Sequence, residues 1–353
     1  LGEAGLEFVR AWQRENGSNP DQQESSLLIV ERKPQNPAIE TARDLGFGVV
    51  VGDAFDPVVQ RRAGVDSASA ILLMLSDDKR NIELALEIRE HLERHRNAFE
   101  SKKGGGDHAF DGLTRILIHV DNSKLARRLQ DHSRAGVETH TETRFFDFYE
   151  TSARALFQDH PAAQTAETMG SNVVHIAIYG FGRMGDAVLR QALKVALSPA
   201  IDRTHVSIFD ARANRREFVD SFWTTNSGLR RLIEGDRGYK PIELSLNFHS
   251  LPEASSGLAG ELLKDCAEKA GDIPPTQHII CFDSDDLAAA FSLDLRDALR
   301  ELKPCSDGTK YAWNAPIYVR LKRRHGLARL YLESNEPGNG SCDLCETPDN
   351  LFA

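Results

Sequence analysis

The stretch Val173-Val174-His175-Ile176-Ala177-Ile178-Tyr179-Gly180-Phe181-Gly182-Arg183-Met184-Gly185 decides the fold. Its first seven residues read as a buried strand, a G-x-G-x-x-G spacing follows without a gap, and Asp186 to Leu197 continues as a helix. Glycines at that spacing let the backbone approach a pyrophosphate, whose charge the N–H groups at the start of the next helix receive. A strand from His205 to Asp210 then ends in an acid 25 residues beyond Gly185, placed to accept hydrogen bonds from ribose hydroxyls.

A broken copy of the same pattern opens the chain. Leu1-Gly2-Glu3-Ala4-Gly5 keeps the spacing but lacks the first glycine. Leu6, Phe8, Val9 and Trp12 suit one face of a following helix, and strand Ser26 to Glu31 ends in an acid 26 residues beyond Gly5. The missing glycine and the initial leucine lead to the expectation that a first strand lies upstream of Leu1.

Outward from these two loops, strand and helix signals alternate. After Glu31 come a helix opened by Asn36-Pro37 and closed near Gly46, strand Gly48 to Val51, a helix opened by Asp56-Pro57, strand Ala68 to Leu75, and a long helix from Asp77 to Arg94. Strand Arg115 to Val120, helix Asn122 to Leu129, strand Thr143 to Asp147 and helix Tyr149 to Gln158 complete a first unit. Gly104-Gly105-Gly106 lacks a preceding strand and reads as a surface loop. A polar, alanine-rich stretch from His160 to Asn172 reads as a connector, after which the order repeats with strands near Ile242 to Phe248, His278 to Phe282 and Pro316 to Leu321, and helices Gly260 to Ala270 and Asp285 to Leu302. The alternation predicts an α/β chain of two Rossmann-like, doubly wound parallel-sheet units in tandem: residues 1–160, a linker 161–172, residues 173–334, and an irregular tail 335–353. Ile71-Leu72-Leu73-Met74-Leu75-Ser76-Asp77-Asp78 and Ile279-Ile280-Cys281-Phe282-Asp283-Ser284-Asp285-Asp286 echo one another, as duplication would leave them.

Composition narrows the function classes. The chain has 353 residues and a formal charge of −10, so the basic excess of a general nucleic-acid binder is missing. Its longest apolar runs fall short of the roughly 20 residues that cross a bilayer. Five cysteines in a chain this long do not form a secreted disulfide scaffold, and a reducing cytoplasm is the expected setting.

The expected ligand contacts lie at the carboxyl edge of each sheet. In the first unit these are Gly2, Gly5, Glu31, Arg32, Asp53, Ala54, Ser76 and Asp77; Asp53 addresses the adenine side or caps the helix near Pro57, and Ser76 and Asp77 carry the same alternative. In the second they are Gly180, Phe181, Gly182, Arg183, Met184, Gly185, Asp210, Arg212 and Asp283. Glu31 would repel a 2′-phosphate, which favours NAD(H) or an adenine nucleotide such as ATP or ADP over NADP. Arg183, Arg212, Arg215 and Arg216 are residues that recognise extra phosphate or are simply solvated.

Ile29-Val30-Glu31-Arg32, Asn36-Pro37, Gly48-Val49-Val50-Val51-Gly52-Asp53-Ala54-Phe55-Asp56-Pro57, Arg62-Ala63-Gly64-Val65 and Ser76-Asp77-Asp78 with Asn81 resemble the RCK or TrkA-N domain, most specifically from Gly48 to Val65. The resemblance covers roughly Leu1 to His160 and extends more weakly to the second unit, where Phe248-His249-Ser250 replaces Gly-Asp-Ala. It implies a nucleotide-sensing regulator of a potassium or other cation channel or transporter, with a membrane-embedded pore as partner and no nucleic acid. It also implies assembly into a homo-oligomer through a crossover helix at Tyr149 to Gln158.

An NAD(P)-dependent oxidoreductase is the alternative. Tyr318 and Lys322 have the Tyr-x-x-x-Lys spacing, yet on a strand such residues do not converge as they do on a helix. His119 is a second candidate base, but a strand histidine satisfied by backbone is the commoner case. Cys342-Asp343-Leu344-Cys345 is half of a zinc site or a redox pair by spacing, but a structural zinc site wants four ligands, no second C-x-x-C exists, Cys305 and His325 would join only by long-range folding, and two thiols in a loop are the commoner case.

Overall fold

Apolar β-branched runs separated by capped helices produce alternating strands and helices throughout the computed structural model, which describes residues 2–16, 27–102, 113–134, 140–195, 201–234, 243–251, 259–271, 273–301, 315–321 and 351–352. The chain divides into two units, Leu1–Phe148 and Tyr149–Ala353. Every strand pairing among the described residues is parallel.

The first unit runs α1 (Glu3–Asn16), β1 (Leu28–Glu31), α2 (Ala38–Asp44), β2 (Gly48–Val51), α3 (Pro57–Arg62), β3 (Ala70–Leu73), α4 (Asp78–Lys102), β4 (Thr114–His119), α5 (Ser123–Arg134) and β5 (Thr141–Phe146). Asp56 starts α3 as the sequence suggests: its side chain accepts from Val58 N, and Pro57 has no N–H to lose. α2 ends where Gly46 takes φ +89. α4 runs past Arg94 to Lys102 because no glycine or proline interrupts it before Gly104. The strands form a pair, β1-β2, and a triplet, β3-β4-β5. One core gathers Leu84, Ile88 and Leu92 of α4 against Ile116 and Ile118 of β4, and a smaller one joins Val9, Ile29 and Ala42.

α6 (Phe148–Asp159) and α7 (Ala162–Thr168) lead into the second unit, which continues β6 (Val173–Tyr179), α8 (Arg183–Val195), β7 (Arg203–Asp210), α9 (Arg216–Thr225), α10 (Ser227–Glu234), β8 (Leu244–Ser250), α11 (Ala259–Lys269), β9 (Gln277–Ile280), α12 (Asp285–Glu301), β10 (Ile317–Arg320) and β11 (Leu351–Phe352). Its sheet has the order β11-β10-β9-β6-β7-β8. This is the doubly wound order, whose direction of winding reverses between β6 and β9, and ligands of such sheets enter the crevice outside the strand ends at that reversal. The pair and triplet of the first unit follow the same order with the position of β6 left out.

Both faces of the second sheet are covered, which is why its central strand β6 is apolar and buried along almost its whole length. Ile176, Ile178, Val206 and Ile208 meet α8 on one face. Tyr179, Phe209 and Ile280 meet α11 and α12 on the other. Each fully buried isoleucine contributes about 1.5–3 kcal/mol through removal of its side chain from water.

Two expectations are corrected. The stretch 161–172, read as a linker, contains α7, whose Ala162 and Ala166 are buried in the second unit's core. Small side chains made it look like a connector, and they are what lets a short helix pack closely. α6 buries Ala153, Leu156 and Phe157 in that same core. Finally, Leu351–Phe352 lies in the tail read as irregular and pairs with β10; two apolar residues after a polar run leave no period to detect. Gly104-Gly105-Gly106, Cys305, Lys322, His325, Cys342 and Cys345 lie outside the described residues.

Candidate functional site

In the first unit, Gly2 is exposed at the start of α1, where its carbonyl accepts from Leu6 N at 3.1 Å. Gly5 lies in the first turn of that helix. Glu31 ends β1 and is 7% exposed; Oε1 accepts from Lys33 N at 2.7 Å and Oε2 from Asn36 Nδ2 at 3.0 Å, both neutral donors. Its carbonyl accepts from Gly52 N at 3.0 Å, which ties the ends of β1 and β2 together. Gly52 admits no side chain, because a Cβ would lie 2.4 Å from Val59 Cγ2.

Asp53 turns back on Phe55 N at 3.1 Å and faces Arg80 Nη2 at 3.8 Å, while Arg80 rests 5.0 Å over the Phe55 ring. The cap of α3 is therefore Asp56, and Asp53 is left at the sheet edge beside a cation. Ala54 gives its carbonyl to Gln60 Nε2 at 2.8 Å, and Arg32 is exposed next to Glu31. Ser76 is exposed, whereas Asp77 accepts from Lys79 N at 2.8 Å as a helix-start acceptor of α4.

The sequence signal at Ser76-Asp77-Asp78-Asn81 turns out to be a scaffold for that edge. Asp78 accepts from Asp121 N and Asn122 N at 2.8 and 3.2 Å. Asn81, fully buried, accepts from Leu75 N at 2.7 Å and donates to the Leu75 and His119 carbonyls, both at 3.0 Å. These bonds clamp the ends of β3 and β4.

In the second unit the glycine loop bridges β6 and α8 at the reversal of the sheet. Gly180 has φ +89, and a Cβ there would meet the Phe282 ring at 2.8 Å. A Cβ on Gly185 would lie 2.2 Å from the Gly180 carbonyl oxygen, so the loop closes on the helix only with glycine. Gly182 faces Asp283, whose Oδ2 is 3.8 Å from where its Cβ would be. Phe181 and Met184 point inward instead and are 8% and 2% exposed. Phe181 packs edge-on against Phe218 and Phe222 of α9.

Asp210 ends β7. Its Oδ2 accepts from Phe181 N at 2.9 Å, and its Oδ1 from Arg212 N at 2.9 Å and Arg212 Nε at 2.7 Å. Arg212 Nη2 donates to Asp210 Oδ2 at 3.1 Å and to the Phe181 carbonyl at 2.7 Å. Burial pushes the Asp210 carboxyl up, but hydrogen bonds from Arg212 and from Phe181 N outweigh it and hold the group below its ordinary value. The acid and the loop are thereby joined through the backbone of one residue, Phe181.

Sequence reasoning missed Tyr149 and Arg320 as neighbours of this loop. Arg320, 6% exposed at the end of β10, reaches Phe282 O at 3.4 Å and Asp283 Oδ1 at 3.3 Å. The guanidiniums of Arg183 and Arg320 lie 5.5 and 5.4 Å from the Tyr149 ring centroid. The only signal was a charged residue at the end of an apolar strand. At the end of β8, His249 is buried, stacks on Phe209 at 4.5 Å and meets Asp265 at 2.7 Å. Phe248-His249-Ser250 is thus a packing segment, in contrast to the Gly-Asp-Ala edge of the first unit. Tyr318 lies on β10 with its ring 4.7 Å from that of His160. His119 sits on β4 against Phe146 and Phe148.

Residues 2–100 match the TrkA-N domain family. This segment is a TrkA-N domain. The matched segment contains the Gly2 and Gly5 positions, Glu31 and the Gly52-Asp53-Ala54 edge. No curated protein matches the chain. Among solved structures, the chain is similar to the GsuK channel bound to NAD (12% identity, 91% of this chain and 56% of that one, TM-score 0.47). It is also similar to GsuK bound to ADP (16% identity, 89% of this chain and 66% of that one, TM-score 0.40). The chain spans less than two thirds of either. Among the described residues no helix is long and apolar enough to cross a membrane, and no group of His, Cys, Asp and Glu is arranged to hold a metal ion.

Proposed function

We propose that the chain is a nucleotide-sensing regulatory module that controls a potassium or other cation channel or transporter, with NAD(H) or an adenine nucleotide such as ADP bound at the carboxyl edge of the first unit's sheet. The observation that carries this reading is the TrkA-N match over residues 2–100 on a unit whose Glu31 is a buried acid at the end of β1, accepting from Lys33 N and Asn36 Nδ2. The start of α1 supplies N–H groups and a helix dipole for phosphate.

The second unit offers a complete glycine loop for a second nucleotide. Only Asp147 separates β5 from α6, so a change at the edge of the first sheet has little slack before it reaches the helix that roots the second core. Ligand acts by favouring one arrangement of this connection over another, and it shifts the population only as far as its affinities for the two differ.

Titration of the full chain with NAD, NADH, NADP, ATP and ADP, alongside Gly185→Val and Glu31→Ala, tests the sites. Glu31→Ala weakens the first site and Gly185→Val the second; unchanged affinity in both sinks the assignment. Rubidium flux in cells carrying the gene, wild type against Glu31→Ala, tests the regulatory reading, which predicts an altered response to nucleotide level. Equal flux at all levels overturns it.

A further inference from the structure

The acid that ends β7 has no acceptor capacity left. A carboxylate offers about four lone-pair positions. Asp210 receives four N–H groups, from Phe181 N, Arg212 N, Arg212 Nε and Arg212 Nη2, between 2.7 and 3.1 Å. It is 8% exposed, and its charge is balanced by that guanidinium. A ribose diol donates to such an acid. To be seated there it must first evict Arg212 and leave a buried carboxylate without its counter-ion, which is the costly way to break an ion pair.

Arg212 itself presents the opposite chemistry. Nε and Nη2 are committed to Asp210 and to the Phe181 carbonyl, and the guanidinium lies 4.8 Å over the Phe218 ring. Nη1 donates to nothing among the described residues, on a side chain 47% exposed. Two N–H groups of a fixed guanidinium are thus presented at the position where an adenosine ribose would lie. Arg215 and Arg216, both exposed, follow at the start of α9.

We propose that the second unit selects a nucleotide bearing a phosphate on its adenosine ribose, the NADP class, with Arg212 as the residue that sets this preference, whereas the first unit takes an unphosphorylated ribose. The inference rests on the reading that the Gly180 loop holds a nucleotide pyrophosphate. It makes the tandem units receptors for two different nucleotide pools.

Calorimetric titration of the full chain carrying Glu31→Ala, which weakens the first site, compares NADP with NAD and adenosine 2′,5′-bisphosphate with ADP. The phosphorylated member of each pair is expected to bind roughly tenfold tighter or more, a typical worth of one charge-assisted contact. Arg212→Gln in the same background brings the ratio close to one. Since that variant uncovers a buried acid, its folding is checked by thermal unfolding; the ligand comparison with Arg212 in place decides the matter without it. NAD binding as tightly as NADP overturns this inference and leaves the nucleotide reading standing. Absence of binding by all four ligands overturns both.

Discussion

Asn81 holds three backbone groups from a fully buried position: the N–H and carbonyl of Leu75 and the carbonyl of His119. Replacement by alanine leaves each of them without its partner, at about 1–3 kcal/mol per unsatisfied buried group. Asn81→Ala is therefore expected to lower the unfolding free energy of the first unit by roughly 3 kcal/mol or more, measured by urea denaturation. A loss below about 1 kcal/mol would mean that water or a shifted strand end replaces the amide. The residue was visible in the sequence only as part of a resemblance. Its work as a clamp between two strand ends depends on His119, 38 positions away. Gly180 and Gly185 are the reverse case, because their spacing announced close backbone approach before any coordinates, and the 2.2 Å between a Gly185 Cβ and the Gly180 carbonyl is that approach realised.

At the level of elements, α6 shows where periodicity stops short. An apolar face over Ala153, Leu156 and Phe157 specifies that the helix must be covered, but not by what. Here the cover is the second unit's own core. Phe157→Ala is expected to cost about 3–5 kcal/mol of that unit's stability, as for other large buried aromatics. It should leave the molecular mass in solution unchanged, which light scattering checks; a lowered mass would show that the helix also joins protomers. The strands from β1 to β10, in contrast, were placed within a few residues, because runs such as Val173 to Tyr179 and Gly48 to Val51 are apolar, β-branched and closed by Gly. α7 was lost because alanine and threonine carry too little hydrophobic signal to stand out from a connector.

Across the second unit, burial governs the response to acid. His175 and His278 are fully buried; desolvation lowers both to about 3, against a hydrogen bond from His175 Nδ1 to the Ile273 carbonyl that partly supports the charged form of His175. Both are neutral in the folded state at pH 7, while in the unfolded chain they take up protons below about 6.5. The unfolded state then binds more protons, so the stabilisation present above pH 6.5 is lost as pH falls toward 3, with a limiting slope of about 1.4 kcal/mol per pH unit for each histidine. Thermal unfolding between pH 7.5 and 5 should show a falling midpoint, and His278→Asn should reduce the slope. A flat profile over that range would show that the rings reach solvent or a proton donor when the acid rises. Burial also pushes the Cys266 and Cys281 thiols up to about 12, so neither is poised as a nucleophile.

The sequence by itself determined the local chemistry of this protein: strand-glycine-helix order, the acids at Glu31 and Asp210, and the alternation that makes parallel sheets the only economical way to bury so many β-branched runs. Those features depend on neighbours within a few residues, where spacing and propensity act directly. Only the tertiary structure decided which groups meet across long separations. It brought Arg212 onto Asp210 and the Phe181 carbonyl, Arg320 onto the end of β9, Asn81 onto His119, and α6 onto the second core. The physical reason is that a side chain's role follows from what shares its burial, and at Asp210 that neighbour turns a ribose acceptor into half of an ion pair.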